Sequence, residues 1–156
     1  MELNTRGRYA VMAMADLARQ GGDAAVPLSQ ISERQRITVA YLEQLFQQLR
    51  RAGLVDSARG RSGGYRLGRP AREITVAEVM AAVDEGVRMT RCAGIMGEPC
   101  MAGERCLTHD LWAALGAEIA TFLNRISLDD VINGLPGHAP VAGETAWSDL
   151  EPEGRG

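Results

Sequence analysis

The chain has 156 residues, 46% of them hydrophobic and 24% charged, with a formal net charge of −3. That is enough apolar material for one compact domain, or for a small domain with an appendage. No stretch approaches the roughly 18 consecutive apolar residues needed to cross a bilayer, so the expectation is a cytoplasmic protein with no membrane partner.

Charge is distributed unevenly. Residues 1–72 hold 12 Arg against 6 acidic residues, whereas residues 73–156 hold 5 Arg against 14. A basic front beside an acidic back points to a polyanion partner for the front alone, although a solvated surface with skewed charge has the same composition. The first nineteen residues have the arginines of a targeting peptide, but Glu2 and Asp16 flank an apolar run of only seven residues, Tyr9 to Ala15. Tyr9, Val11, Met12, Ala15 and Leu17 recur at helical spacing, so this stretch reads as a first helix from Thr5 to about Arg19, ended by Gly21-Gly22.

After Pro27, Ser29 is expected to cap a short helix through QISERQ, which Ile37 and Thr38 break. Thr38 can cap the next helix, VAYLEQLFQQLRRAG, and Gly53 stops it. Its buried stripe is Leu42, Leu45, Phe46 and Leu49, and the opposite face holds Ala40, Glu43, Gln44, Gln47 and Arg51. LVDSARGRSGGYRLGRP follows, in which Leu54 to Ala58 and Tyr65 to Leu67 can pair around a Gly-rich turn studded with Arg59, Arg61 and Arg66.

Helix, turn, helix, basic hairpin is the order of a winged helix-turn-helix. A Gln amide can donate and accept against adenine in the major groove. Glu43 is repelled by phosphate, so it is tolerable there chiefly where it accepts from cytosine or rejects other bases. An ordinary exposed helix of good helix formers accounts for this face equally well, but the adjoining arginines favour DNA. The surface expected to meet duplex DNA is therefore Ala40, Tyr41, Glu43, Gln44, Gln47 and Arg51, with Arg59, Arg61 and Arg66 of the wing.

Farther on, Thr75 and Glu78 form a capping box for a linking helix with Val76, Val79, Met80 and Val83 on its apolar face. From Thr108 a long helix runs to about Arg125, and its apolar residues are too numerous for one narrow stripe, which suggests a partner chain as well as the body of the protein. Two DNA half-sites favour a twofold protein, hence a homodimer. Ser127 and Asp130 can open a last short helix, SLDDVIN. The expected organisation is a winged helix-turn-helix domain over 1–72 (helix-turn-helix about 28–51, wing about 54–68), a linking helix, loop and dimerisation helix over 73–133, and a disordered tail over 134–156 that contains His138.

All three cysteines fall between the linking helix and the long helix: Cys92, Cys100 and Cys106, with His109 close behind. Three thiols in a reducing compartment cannot pair off completely, so metal or redox chemistry outranks a disulfide framework. The spacing leaves three readings open. An iron-sulfur cluster takes thiolates and can replace some with imidazole; zinc accepts three Cys and one His, though its sites usually begin with two closely spaced ligands; a thiol switch would not need His109.

LNTRGRYAVMAM, PLSQISERQRITVAYLEQLFQQLR, ARGRSGGYRLG, AEVMAAVDE and CLTHDLW, in one order over about residues 2–133, resemble the iron-sulfur cluster regulator (IscR-type) family of bacterial winged-helix repressors. The resemblance implies a mainly α homodimeric transcription regulator with a small β-hairpin wing, a long dimerisation helix and a cluster-binding loop over 91–109. It implies a 2Fe-2S cluster on the matching Cys92, Cys100, Cys106 and His109, received from the iron-sulfur assembly machinery, with control of iron-sulfur assembly genes. This chain departs from the family in a longer Cys92 to Cys100 loop. Nitric-oxide or iron sensors share the fold but generally lack the CLTH histidine. An electron carrier or cluster donor, a different class, would leave the recognition helix and arginine wing unexplained, and no catalytic constellation suggests an enzyme.

Overall fold

The computed structural model describes residues 5–22, 24–60, 63–83 and 106–137. It is mainly helical, with one two-stranded antiparallel hairpin. In chain order the elements are α1 (Thr5–Gly21), α2 (Leu28–Gln35), α3 (Val39–Arg51), β1 (Val55–Ala58), β2 (Gly64–Leu67), α4 (Val76–Ala82), α5 (His109–Arg125) and α6 (Leu128–Asn133), with a 3-10 turn at Ala71–Glu73. The expected tail lies outside the described residues beyond Gly137, and His138 with it. No described helix is long and apolar enough to cross a membrane.

Helix α1 is the centre of the packing and touches α2, α3, α4, α6 and β2. Ala10 and Ala13 are fully buried beside Met14 and Leu17, and their small side chains let neighbouring helices approach closely. Helix α3 contributes Leu42, Leu45, Phe46 and Leu49, all buried as their spacing predicts. The buried cluster continues past residue 72 through Ile74, Val79, Val83 and Leu128, so α4 and α6 share the core of the helix-turn-helix. Buried Asp16 of α1 accepts from Arg34 Nε at 2.9 and 3.1 Å, from Arg34 Nη2 at 2.7 Å and from Gln35 at 2.9 Å, fastening α2 to α1. The hydrogen bond to Asp16 raises the Arg34 pKa.

The helix ends follow local chemistry with one correction. Ser29 does not cap α2; the N-cap is Pro27, with no side-chain cap bond, and its carbonyl accepts from Gln30 and Ile31. Proline's fixed φ favours the extended conformation there, and Ser29 falls inside the first turn. Thr38 caps α3 as expected by accepting from the Tyr41 N–H. At the other end Gly53 adopts φ +73, its N–H bonds the Arg50 carbonyl, and the N–H of buried Leu54 bonds that of Leu49, a Schellman closure.

The expected capping box of Thr75 with Glu78 is present, and Ser127 with Asp130, expected to open the last helix, forms a second one. They lie side by side, because Thr75 and Ser127 pair as an isolated antiparallel bridge. The Val76 N–H bonds the Ile126 carbonyl at 2.8 Å and the Leu128 N–H bonds that of Ile74 at 2.9 Å. Beneath this bridge Val76, Met80 and Ile126 form a second buried cluster with Phe122 and Leu123, which seats the C-terminal end of α5.

Both box carboxylates are held below their usual pKa. The backbone N–H of Thr75 is the main cause at Glu78, followed by the Arg69 guanidinium, and the Ser127 hydroxyl is the main cause at Asp130. A carboxylate depressed in the fold contributes stability above its unfolded pKa and loses it as pH falls through the folded value. The combined Glu78→Gln, Asp130→Asn variant should therefore melt below wild type at neutral pH. Its Tm should drop less between pH ~5 and ~3, so that the two curves converge in acid. Thermal melts at stepped pH check this, and parallel curves would refute it.

Candidate nucleic-acid interface

Helices α2 and α3 are joined by residues 36–38, within the three- or four-residue turn that the sequence predicts. With its apolar stripe sunk in the core, α3 turns Val39, Ala40, Glu43, Gln44, Gln47, Arg50 and Arg51 to solvent. Tyr41 differs from the other residues expected on this face. It is half-buried, its ring meeting Tyr9 of α1 edge-on at 5.9 Å. The Arg6 guanidinium of α1 donates to Gln48 Oε1 at 2.8 Å, so α3 is braced from α1 at both of these points.

The hairpin pairs Val55 with Leu67, Asp56 with Arg66, Ser57 with Tyr65 and Ala58 with Gly64. Arg59 and Arg66 are exposed, while Arg61 lies outside the described residues. Three contacts tie the hairpin to the helix-turn-helix. Val26, just before α2, exchanges two backbone hydrogen bonds with Tyr65, at 2.8 and 2.9 Å. The Tyr65 ring packs on Phe46 of α3 with centroids 4.9 Å apart. Arg50 Nη1 of α3 donates to Ser57 Oγ of β1 at 3.3 Å. Sequence reasoning missed the Val26 pairing, although two consecutive glycines before Tyr65 hint at close backbone approach. A Cβ on Gly64 would sit 2.4 Å from the Val26 carbonyl.

Of the four expected metal ligands, the described residues include Cys106 and His109, one helical turn apart; Cys92 and Cys100 lie outside them. Helix α5 starts at His109, one residue after the expected start, with Thr108 as its N-cap but no side-chain cap bond; the Thr108 hydroxyl lies 3.7 Å from Cys106 Sγ. The His109 N–H donates to the Cys106 carbonyl at 3.1 Å, closing a turn that leads into α5. His109 is buried and Cys106 half-buried. Just beyond, Leu111, Trp112 and Leu115 are 60%, 38% and 38% exposed, an apolar face that nothing among the described residues covers.

A helix-turn-helix with a hairpin pinned beside its second helix defines a winged helix-turn-helix DNA-binding protein. The Rrf2 family model, described as an iron-dependent transcriptional regulator, matches residues 3–134. The chain is 54% identical over 133 residues to the HTH-type transcriptional regulator IscR of Pectobacterium carotovorum subsp. carotovorum, covering 85% of this chain and 80% of that one. Identity to the IscR of Photorhabdus laumondii subsp. laumondii is 55%, with the same coverage. Among solved structures, T. potens IscR matches with a TM-score of 0.69 at 34% identity, over 85% of this chain and 87% of that one. The global cysteine regulator CymR of B. subtilis matches with 0.72 at 29% identity, over 85% and 97%. The chain belongs to the Rrf2 family of transcriptional regulators; it is a DNA-binding regulator and not an enzyme.

The close approach at Gly64 yields a direct expectation. Gly64→Ala forces a methyl group into the Val26 carbonyl and should cost about 1–3 kcal/mol, as overpacking of a well-packed site does. Urea denaturation would show it as a lower midpoint with an unchanged slope.

Proposed function

We propose that this regulator senses iron-sulfur cluster supply through a 2Fe-2S cluster held by Cys92, Cys100, Cys106 and His109, and that as a homodimer it controls iron-sulfur assembly genes. The observation that carries this reading is the position of Cys106 and His109: Cys106 lies just before α5 and His109 is its first residue, and the next residues present an apolar face that nothing among the described residues covers. Thiolate and imidazole are both accepted ligands of such clusters, and the family's description as iron-dependent favours iron over zinc. When bound, the cluster supplies an occupancy signal that rises and falls with iron and sulfide availability. The chain's own residues turn that signal into geometry.

Cys106 and His109 hold the start of α5, and Leu111, Trp112 and Leu115 meet the same face of a second copy. Ligation thereby biases how two reading heads are spaced. Any effect on operator affinity must equal the difference in DNA affinity between loaded and empty states, by linkage. On DNA, Glu43, Gln44 and Gln47 read base edges from the major groove, and Ala40 leaves room for close approach. Tyr41 borders this face, braced by Tyr9. Arg51, Arg59, Arg61 and Arg66 hold phosphates or a narrow minor groove.

Two experiments test the two halves of the proposal. Protein purified without oxygen should be coloured and contain iron and sulfide in a 2Fe-2S ratio. Cys106→Ala or His109→Ala should lose the visible absorption while remaining folded by circular dichroism; a colourless protein with stoichiometric zinc overturns the cluster. Replacement of Gln44 or Glu43 by Ala should change which sequences are preferred, by about 1–3 kcal/mol per discriminating contact. Arg59→Ala and Arg66→Ala should instead weaken all duplexes together, each lowering the salt slope by roughly 0.9 per phosphate contact. Equal losses on matched and scrambled duplexes for Gln44→Ala would move base reading elsewhere.

A further inference from the structure

Arg36 lies between α2 and α3 with φ +55 and ψ +39, the only non-glycine residue with positive φ among the described residues. This left-handed conformation crowds the Cβ of any L side chain and is ordinarily left to Gly, or to Asn and Asp. An arginine gains nothing locally from occupying it. Nor does its side chain supply a compensating contact: Arg36 is exposed and makes no hydrogen bond or ion pair among the described residues. Arg6, Arg34, Arg50, Arg69 and Arg72, by contrast, each bond to a side-chain partner. The backbone on its far side is firmly set, because Ile37 is buried and Thr38 caps α3. An unengaged cation is thus fixed at the entry of α3, at a position where glycine would be easier to accommodate.

Its neighbours give that cation a use. The exposed face of α3 contains Ala40, Glu43, Gln44 and Gln47, and the next cations along it are Arg50 and Arg51 at the far end. A helix of this length spans about 20 Å, and Glu43 in its middle repels phosphate. Without Arg36, the entry end of this face would have no turn cation to offset that repulsion.

We propose that Arg36 is a phosphate-binding residue of the DNA interface, clamping the backbone at the entry of α3 while Arg51 does so at its exit. This rests on the reading that the exposed face of α3 meets DNA. A phosphate contact of this kind positions the helix and adds affinity on every sequence, without reading bases.

The test compares wild type with Arg36→Gly, Arg36→Asn, Arg36→Lys, Gln44→Ala and Arg125→Gln, the last removing an exposed charge outside this surface. The probes are a short duplex selected by the protein from a randomised pool and its scrambled counterpart, titrated over a range of salt. Gly and Asn suit the left-handed turn, so both variants should melt no lower than wild type. They should nevertheless bind both duplexes roughly three- to tenfold more weakly at low salt, with the salt slope lowered by roughly 0.9 per protomer. Arg36→Lys should keep most of the slope, and Arg125→Gln should keep all of it. If Arg36→Gly and Arg36→Asn bind as wild type does while Gln44→Ala changes sequence preference, Arg36 is only a turn residue and the α3 reading stands. If Gln44→Ala also binds both duplexes as wild type does, the α3 reading fails and the role of Arg36 falls with it. Loss of folding in both the Gly and Asn variants would make the arginine structural and overturn the proposal.

Discussion

Two backbone hydrogen bonds between Val26 and Tyr65 decide where the hairpin stands. A two-stranded hairpin is marginal by itself in water, and this one becomes part of the body through a single antiparallel bridge to the segment before α2. The exchange needs the two backbones to come within a distance that only glycine permits at residue 64. Tyr65 then points its ring at Phe46, so the side chain that seats the hairpin also seats α3. Helix and hairpin are consequently tied to each other by contacts within the chain itself. Preorganisation of this kind removes an ordering cost that a loosely attached hairpin would incur on binding.

Helix α5 is built on the opposite plan. Its C-terminal end is seated by Phe122, Leu123 and Ile126 against Val76 and Met80, while its N-terminal half projects Leu111, Trp112 and Leu115 outward. An apolar face of this size calls for something to cover it, and nothing among the described residues does. Under the proposed function that cover is a second copy, and the residues that open the helix are those that would hold the cofactor. Under that proposal the two surfaces divide the work: the one formed by α3 and the hairpin serves recognition, and α5 transmits a change of state.

Much of this was legible in the residues because it depends on local chemistry. The spacing of Leu42, Leu45, Phe46 and Leu49 announced the buried stripe of α3, and its open face followed by subtraction. Thr38, Thr75 with Glu78 and Ser127 with Asp130 announced helix starts, since each satisfies backbone donors within three residues. What escaped was set by partners distant in sequence. Asp16 looks like an ordinary surface acid of α1 until Arg34 and Gln35 close over it. Tyr41 sits on the helix rim beside residues that face solvent, and only the approach of Tyr9 takes its ring inward. Ser29 was misread as a cap because Ser is a good one in isolation, whereas Pro27 had already fixed the chain two residues earlier. The left-handed turn at Arg36 had no signal at all, since arginine is not a residue that advertises it.

The bridge between Thr75 and Ser127 has a consequence for how such a chain can vary. The bridge and its flanking hydrogen bonds join the chain at Ile74–Val76 to the chain at Ile126–Leu128, so the intervening sequence, the cysteine-bearing stretch included, is closed at its two ends. In polymer terms it is a closed ring whose knot is tied elsewhere, and closure entropy grows only with the logarithm of ring length, about 0.6 kcal/mol per doubling. Two or three residues added between Cys92 and Cys100 change that term by almost nothing and disturb neither capping box. The length of this loop can therefore vary at little thermodynamic cost, and under the proposed function the chemistry of the cluster is what constrains the spacing of Cys92 and Cys100.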